Sequence, residues 1–148
     1  MHPESSSFDD DIYYLKKKLE LGAEYIVTQL FLDASDFLKY VERCREAGIT
    51  CPIIPGIMPF TSFQNYSMVV KLSSIRVPKE LESLIFENKG NDEKIKEIGI
   101  MWATKLCEEL IANGVKFLHF YTMNQEYSTG EVLKNLKLLQ ESKPLPFP

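Results

Sequence analysis

A small set of polar side chains sits at the ends of apolar runs in this chain. Thr28 and Gln29 follow Tyr25-Ile26-Val27, Pro55 and Gly56 follow Pro52-Ile53-Ile54, and Tyr121, Thr122, Asn124 and Gln125 end or follow Phe117-Leu118-His119-Phe120. A parallel strand covered on both faces reads as a near-continuous hydrophobic run, so polar residues at its carboxyl end call for a partner. Gln, Tyr and Asn both donate and accept hydrogen bonds, which suits a neutral polar heterocycle better than a metal ion. Thr28 and Gln29 fit two readings: contact with a ligand, or hydrogen bonds to neighbouring backbone. Gly56 likewise either admits a close backbone or ligand or marks a simple bulge. No carboxylate or thiol stands in this set to serve as acid, base or nucleophile. Phosphate-binding loops, G-x-G-x-x-G, H-E-x-x-H and G-x-S-x-G are all missing from the sequence. Of the two histidines, His2 precedes the first helix and His119 reads as an interior strand residue.

The elements that must position these residues alternate. Phe8, Ile12, Leu15 and Leu19 recur at helical spacing, so a helix is expected over 8–21, with Asp9-Asp10-Asp11 in its first turn and Gly22 closing it. Lys16-Lys17-Lys18, in its later half, reads as a solvated face. A strand over 24–32 follows, then a helix over 36–47 stopped by Gly48, and a short strand over 52–57 bounded by two prolines. Helices are expected over 62–72, from Val77-Pro78, and over 92–112, the last carrying Trp102 on its core face. Asn113-Gly114, a third strand over 116–122 and a helix over 128–138 complete the order. Helices closing on glycine and leading into apolar strands imply parallel β/α units. Three strands are visible, whereas a closed (β/α)8 barrel takes about 250 residues. The chain therefore reads as α/β, part of a barrel or an open sheet, with edges that something must cover.

Composition narrows the class without naming a function. With 148 residues, 45% hydrophobic and 26% charged, the chain is an ordinary single-domain length and mixture. The net charge of −4 and the lack of a long basic block give no case for nucleic acid. No run approaches the roughly 20 apolar residues of a membrane span. The N-terminus lacks the pattern of a signal peptide, so a cytoplasmic location is expected. Cys44, Cys51 and Cys107 show no metal-ligand spacing and read as reduced, buried thiols.

Several short motifs together resemble the methylenetetrahydrofolate reductase family. They are His2-Pro3-Glu4, Asp11 with Lys17-Lys18, Gly22-Ala23, Thr28-Gln29-Leu30-Phe31, Pro52-Ile53-Ile54-Pro55-Gly56-Ile57 with Pro59, and His119-Phe120-Tyr121-Thr122 with Asn124. The resemblance implies a (β/α)8 barrel holding FAD at the carboxyl ends of its strands, reduced by NADH or NADPH. The flavin would pass hydride to 5,10-methylenetetrahydrofolate, giving 5-methyltetrahydrofolate. It implies FAD contacts at His2, Ser5, Asp11, Lys17 and Lys18, which replaces the solvated-face reading of the two lysines. It implies folate contacts at Gln29, Tyr121 and Gln125.

Gln125 stands where the family usually has an arginine, and Tyr14 replaces a polar residue near the cofactor. By the resemblance, residues 1–142 are the C-terminal portion of the catalytic barrel, from its fifth helix through its eighth. Residues 143–148, Lys-Pro-Leu-Pro-Phe-Pro, are a linker end. The family's general-acid glutamate falls on strands outside this sequence, so the chain alone is expected not to catalyse the reaction. Its expected partners are the folate substrate and either the other half of the barrel or further copies of itself. The competing reading is a non-catalytic half-barrel that binds or associates through its open edges.

Overall fold

A computed structural model describes residues 8–73 and 75–138. The expectations for His2, Ser5 and 143–148 lie outside the described residues. Nine elements follow in order: α1 (Phe8–Glu20), β1 (Ile26–Leu30), α2 (Ala34–Glu46), β2 (Ile53–Ile57), α3 (Phe63–Ser73), α4 (Lys79–Glu87), α5 (Asp92–Ala112), β3 (His119–Phe120) and α6 (Glu126–Asn135). The strands form one parallel sheet in the order β1-β2-β3.

Helix ends show how local chemistry sets the boundaries. α2 begins two residues earlier than the sequence suggests, because the Asp33 carboxylate accepts from the Ser35 N–H at 2.9 Å and caps it. At its far end, Gly48 N–H donates to Arg45 O at 2.9 Å and Ile49 N–H to Cys44 O at 2.9 Å, a paired closure through a left-handed residue. α6 closes the same way without a glycine. Lys137 takes φ 56°, its N–H donates to Lys134 O at 2.9 Å, and Leu138 N–H donates to Leu133 O at 3.0 Å. That closure ends α6 at Asn135 rather than at 138.

Two strands are shorter than their apolar runs. β3 pairs only through Gly56↔His119 and Ile57↔Phe120, because β2 itself ends at Ile57. Pro55 does not bound β2 but lies buried inside it. Around it the β1–β2 register slips, from Val27↔Ile54 to Leu30↔Gly56, leaving one extra residue on β1. His119, expected in the interior, is exposed and meets Tyr121 edge-on at 4.7 Å between ring centroids.

The core lies on the helix-facing side of the sheet. Ile57, Phe37, Cys107, Leu110 and Val132 form one buried cluster, with Ile53 and Phe120 against it. Ile53 also joins Ile26, Cys44 and Ile49, against which α1 lays Ile12, Leu15 and Leu19. A third cluster joins Phe60, Leu81, Ile85, Ile95 and Trp102 beyond the strand ends, and Trp102 Nε1 donates to the Leu32 carbonyl at 2.8 Å. Val27 and Ile54, paired on the opposite face, join none of these clusters. Cys44 and Cys107 are buried and Cys51 half-buried, all as free thiols. Burial pushes the Cys107 thiol up to about 12.

Candidate functional site

Residues at or just past the ends of the three strands meet at the carboxyl end of the sheet: Thr28, Gly56 and Tyr121. The Gly56 N–H donates to Thr28 Oγ1 at 3.0 Å, so a side chain supplies the acceptor where the ladder is broken. The Tyr121 hydroxyl, reaching across from the end of β3, donates to the Thr28 carbonyl at 3.3 Å. Gly56 leaves the room for this. A Cβ there would collide with the Thr28 carbonyl oxygen and come within 2.7 Å of the Tyr121 ring. Of the two readings of Gly56, the structure shows the close approach of a neighbouring backbone, while the irregularity itself lies opposite, on β1.

Gln29 lies within the irregular stretch of β1 and is exposed. Its Oε1 accepts the Leu30 N–H at 3.0 Å, which fixes the orientation of the carboxamide and leaves its NH2 group as the outward donor. Thr28 Oγ1 in turn donates to the Gln29 carbonyl at 2.9 Å. Both residues therefore do bond neighbouring backbone, and in doing so present a donor from Gln29 and phenol lone pairs from Tyr121.

The loop after β3 carries Met123 at φ 50° and Asn124 at φ 59°, two consecutive left-handed residues that are not glycine. Gln125 N–H donates to Thr122 O at 2.8 Å, and Gln125 caps α6 by backbone geometry with no side-chain hydrogen bond to the helix. Its carboxamide stays exposed. Sequence reasoning missed two hydroxyls in the first turns of α6. Ser128 and Thr129 are buried and find no hydrogen-bond partner among the described residues. Their small size and polarity gave no periodic signal.

The expected cofactor residues lie on another element. Asp11, Lys17 and Lys18 are on α1, whose Ile12, Leu15 and Leu19 face the core. Lys18 falls seven residues after Asp11 and so shares its stripe, about 10 Å along the axis. Lys17 Nζ lies 4.9 Å from the Tyr13 ring centroid, and both lysines are exposed. Two adjacent ammonium groups suit a diphosphate, and Asp11 suits a hydroxyl. Tyr14 is exposed on the same helix, edge-on to Tyr13 at 5.4 Å. The structure thus joins Gln29 and Tyr121 through Thr28 and sets the α1 residues apart. Among the described residues no group of His, Cys, Asp and Glu could hold a metal ion, and no helix is long and apolar enough to cross a membrane.

Residues 1–137 match the methylenetetrahydrofolate reductase family model. The chain belongs to the methylenetetrahydrofolate reductase family. It is 44% identical over 137 residues to methylenetetrahydrofolate reductase (NADH) 1 of Arabidopsis thaliana, covering 93% of this chain and 23% of that protein. It is 41% identical over 144 residues to the Zea mays protein of the same name, covering 95% and 24%. With the 5,10-methylenetetrahydrofolate reductase of Salmonella typhimurium it shares 38% over 126 residues, 84% of this chain and 42% of that one. The chain therefore spans about a quarter of the length of its plant relatives. A solved structure of an uncharacterized protein from Clostridium thermocellum, which binds two copies of 5-methyl-5,6,7,8-tetrahydrofolic acid, superposes with TM-score 0.51 at 18% identity. That match covers 88% of this chain and 48% of that one. The likeness shows the fold: the three parallel strands and their helices are a portion of a (β/α)8 barrel.

Proposed function

We propose that this chain is the folate-facing portion of the catalytic barrel of a flavin-dependent methylenetetrahydrofolate reductase. The overall reaction would use NADH or NADPH to convert 5,10-methylenetetrahydrofolate into 5-methyltetrahydrofolate. The observation that carries the reading is the joining of Gln29, Thr28, Gly56 and Tyr121 at the strand ends, within a chain of this family. Gln29 would offer its NH2 group, and Tyr121 its phenol oxygen, to the polar edge of the pterin. Gln125, neutral and exposed, would meet the glutamate tail with a weaker contact than a charged side chain makes, by about 1–2 kcal/mol. Lys17 and Lys18 would hold the FAD diphosphate and Asp11 a ribose hydroxyl, joined by His2 and Ser5. When bound, FAD would supply hydride-transfer chemistry. On this reading residues 1–142 are barrel and 143–148 begin a linker.

None of these residues is placed as a general acid, so we expect the chain alone to be inactive and the reaction to need the strands that complete the barrel. The test is a titration of FAD into the purified chain, followed by quenching of flavin fluorescence, with Lys17→Ala/Lys18→Ala as control. Saturable binding that the double substitution weakens supports the assignment. A folded chain that binds no FAD removes the α1 assignment.

A second reading rests on the unfinished face of the sheet. Tyr25 is 58% and Phe117 63% exposed, at positions preceding β1 and β3, which are both edge strands among the described residues. Such edges and apolar surface favour association, with the rest of the barrel or with a second copy. Sedimentation velocity distinguishes this from a monomer, which would count against it.

A further inference from the structure

Thr28 is bonded to Gly56, Gln29 and Tyr121 at the strand ends. Its hydroxyl accepts the Gly56 N–H at 3.0 Å and donates to the Gln29 carbonyl at 2.9 Å. Its own carbonyl accepts the Tyr121 hydroxyl at 3.3 Å. The arrangement depends on local features that a regular parallel ladder lacks: the β1–β2 register slips between Val27 and Leu30, and Gly56 has no side chain to block the Tyr121 ring. A β-branched side chain also holds χ1 stiffly, so the hydroxyl is fixed once the backbone is.

We infer that Thr28 is a positioning residue: through these three hydrogen bonds it sets Gln29 and Tyr121 in the orientations that face a ligand. This rests on the reading of Gln29 and Tyr121 as folate contacts. Thr28 itself needs no contact with the folate. It fixes where the Gln29 carboxamide emerges from the bulge, and it ties the phenol across the sheet so that the oxygen's lone pairs point outward. Serine keeps the hydroxyl. Valine keeps the shape and the β-branch but leaves the Gly56 N–H without its acceptor.

The test uses the full 148-residue chain, with amide hydrogen exchange read by NMR and tyrosine rings labelled with carbon-13. In the unaltered protein the Gly56 amide should be protected from exchange. Thr28→Val should speed its exchange by about tenfold, the scale of one lost hydrogen bond. It should also move the Tyr121 ring and Gln29 side-chain amide signals, while Thr28→Ser leaves all three near their original values. In the same proteins, 5-methyltetrahydrofolate affinity should fall about tenfold in Thr28→Val and little in Thr28→Ser. Ile85→Val, a core change on α4, should lower stability without moving the ring signals or the affinity.

An unprotected Gly56 amide in the unaltered protein overturns the inference even if Thr28→Val fails to fold. So does a folded Thr28→Val whose Tyr121 and Gln29 signals stay in place. If the unaltered chain binds no 5-methyltetrahydrofolate, the folate reading fails on its own, and the exchange and ring signals still decide the role of Thr28.

Discussion

Ile53 and Ile54 are neighbours in β2, yet they enter different environments. Ile53 packs between two buried clusters, against side chains from α1, α2 and α5. Ile54, paired with Val27 on the other face, joins no cluster among the described residues. The helix-facing side is finished: Ile57, Cys107, Leu110 and Val132 are all at most 1% exposed. The opposite side and the strand ends carry exposed polar and aromatic groups, Gln29, His119 and Gln125 among them. One side of the sheet is packed and supplies stability, and the other leaves its polar groups uncovered among the described residues. Substitutions on the two sides should therefore separate, with loss of stability on the first and loss of binding on the second.

The largest effect is expected at Trp102, which is 8% exposed and donates its Nε1–H to the Leu32 carbonyl. Trp102→Ala should cost about 3–5 kcal/mol in urea unfolding, through a cavity and an unpaired carbonyl. Gly99→Ala is next. A Cβ there would collide with the Phe60 carbonyl and lie 2.9 Å from its ring, so about 1–3 kcal/mol should be lost.

Alkali should act on the same finished side through Cys107, whose thiol is raised by burial from an ordinary 9.0 to about 12. A raised value in the folded state favours the neutral thiol. Its contribution is therefore complete below pH 9.0 and is lost progressively as the pH rises towards about 12. Cys107→Ala should flatten that alkaline decline in a thermal-unfolding series.

At the rim between the two sides, Asp33→Ala removes the cap of α2 and should cost about 1 kcal/mol. Its carboxyl is held below the usual 3.8, chiefly by the hydrogen bond from Ser35 and also by Arg76. A lowered value means that its contribution is present above pH 3.8 and disappears on further acidification. An acid titration of unfolding with and without the substitution reads this.

The smallest stability change belongs to the open side. Tyr121→Phe removes one long hydrogen bond and should cost under about 1 kcal/mol. A Tyr121→Phe variant as destabilised as Gly99→Ala would erase the contrast between the two faces.

Much of the frame was legible in the residues. Apolar spacing located the helices, and Gly22, Gly48 and Gly114, all at positive φ, announced three helix ends. The end of α6 was hidden because Lys137 takes the same left-handed turn without the residue that usually signals it. Strand lengths were misjudged at β1 and β3 because an apolar run records burial, whereas a strand ends where its partner stops offering hydrogen bonds. The site was half visible. Polarity at strand ends marked Thr28, Gln29 and Tyr121, and the glycine marked a close approach. That the Thr28 hydroxyl accepts the Gly56 N–H where β1 and β2 slip depends on register, which no single strand's sequence contains. Likewise, the exposure of His119 reflects the uncovered face on which it lies, and its apolar neighbours in the sequence point the other way.

The most direct measurement is isothermal titration of 5-methyltetrahydrofolate into the purified chain, alongside Gln29→Ala and Tyr121→Phe, each shown by circular dichroism to be folded. Saturable binding at one site, weakened about tenfold or more by either substitution, is the predicted result. Binding that both substitutions leave unchanged, or no binding by the folded chain, would contradict a folate site at the ends of these strands.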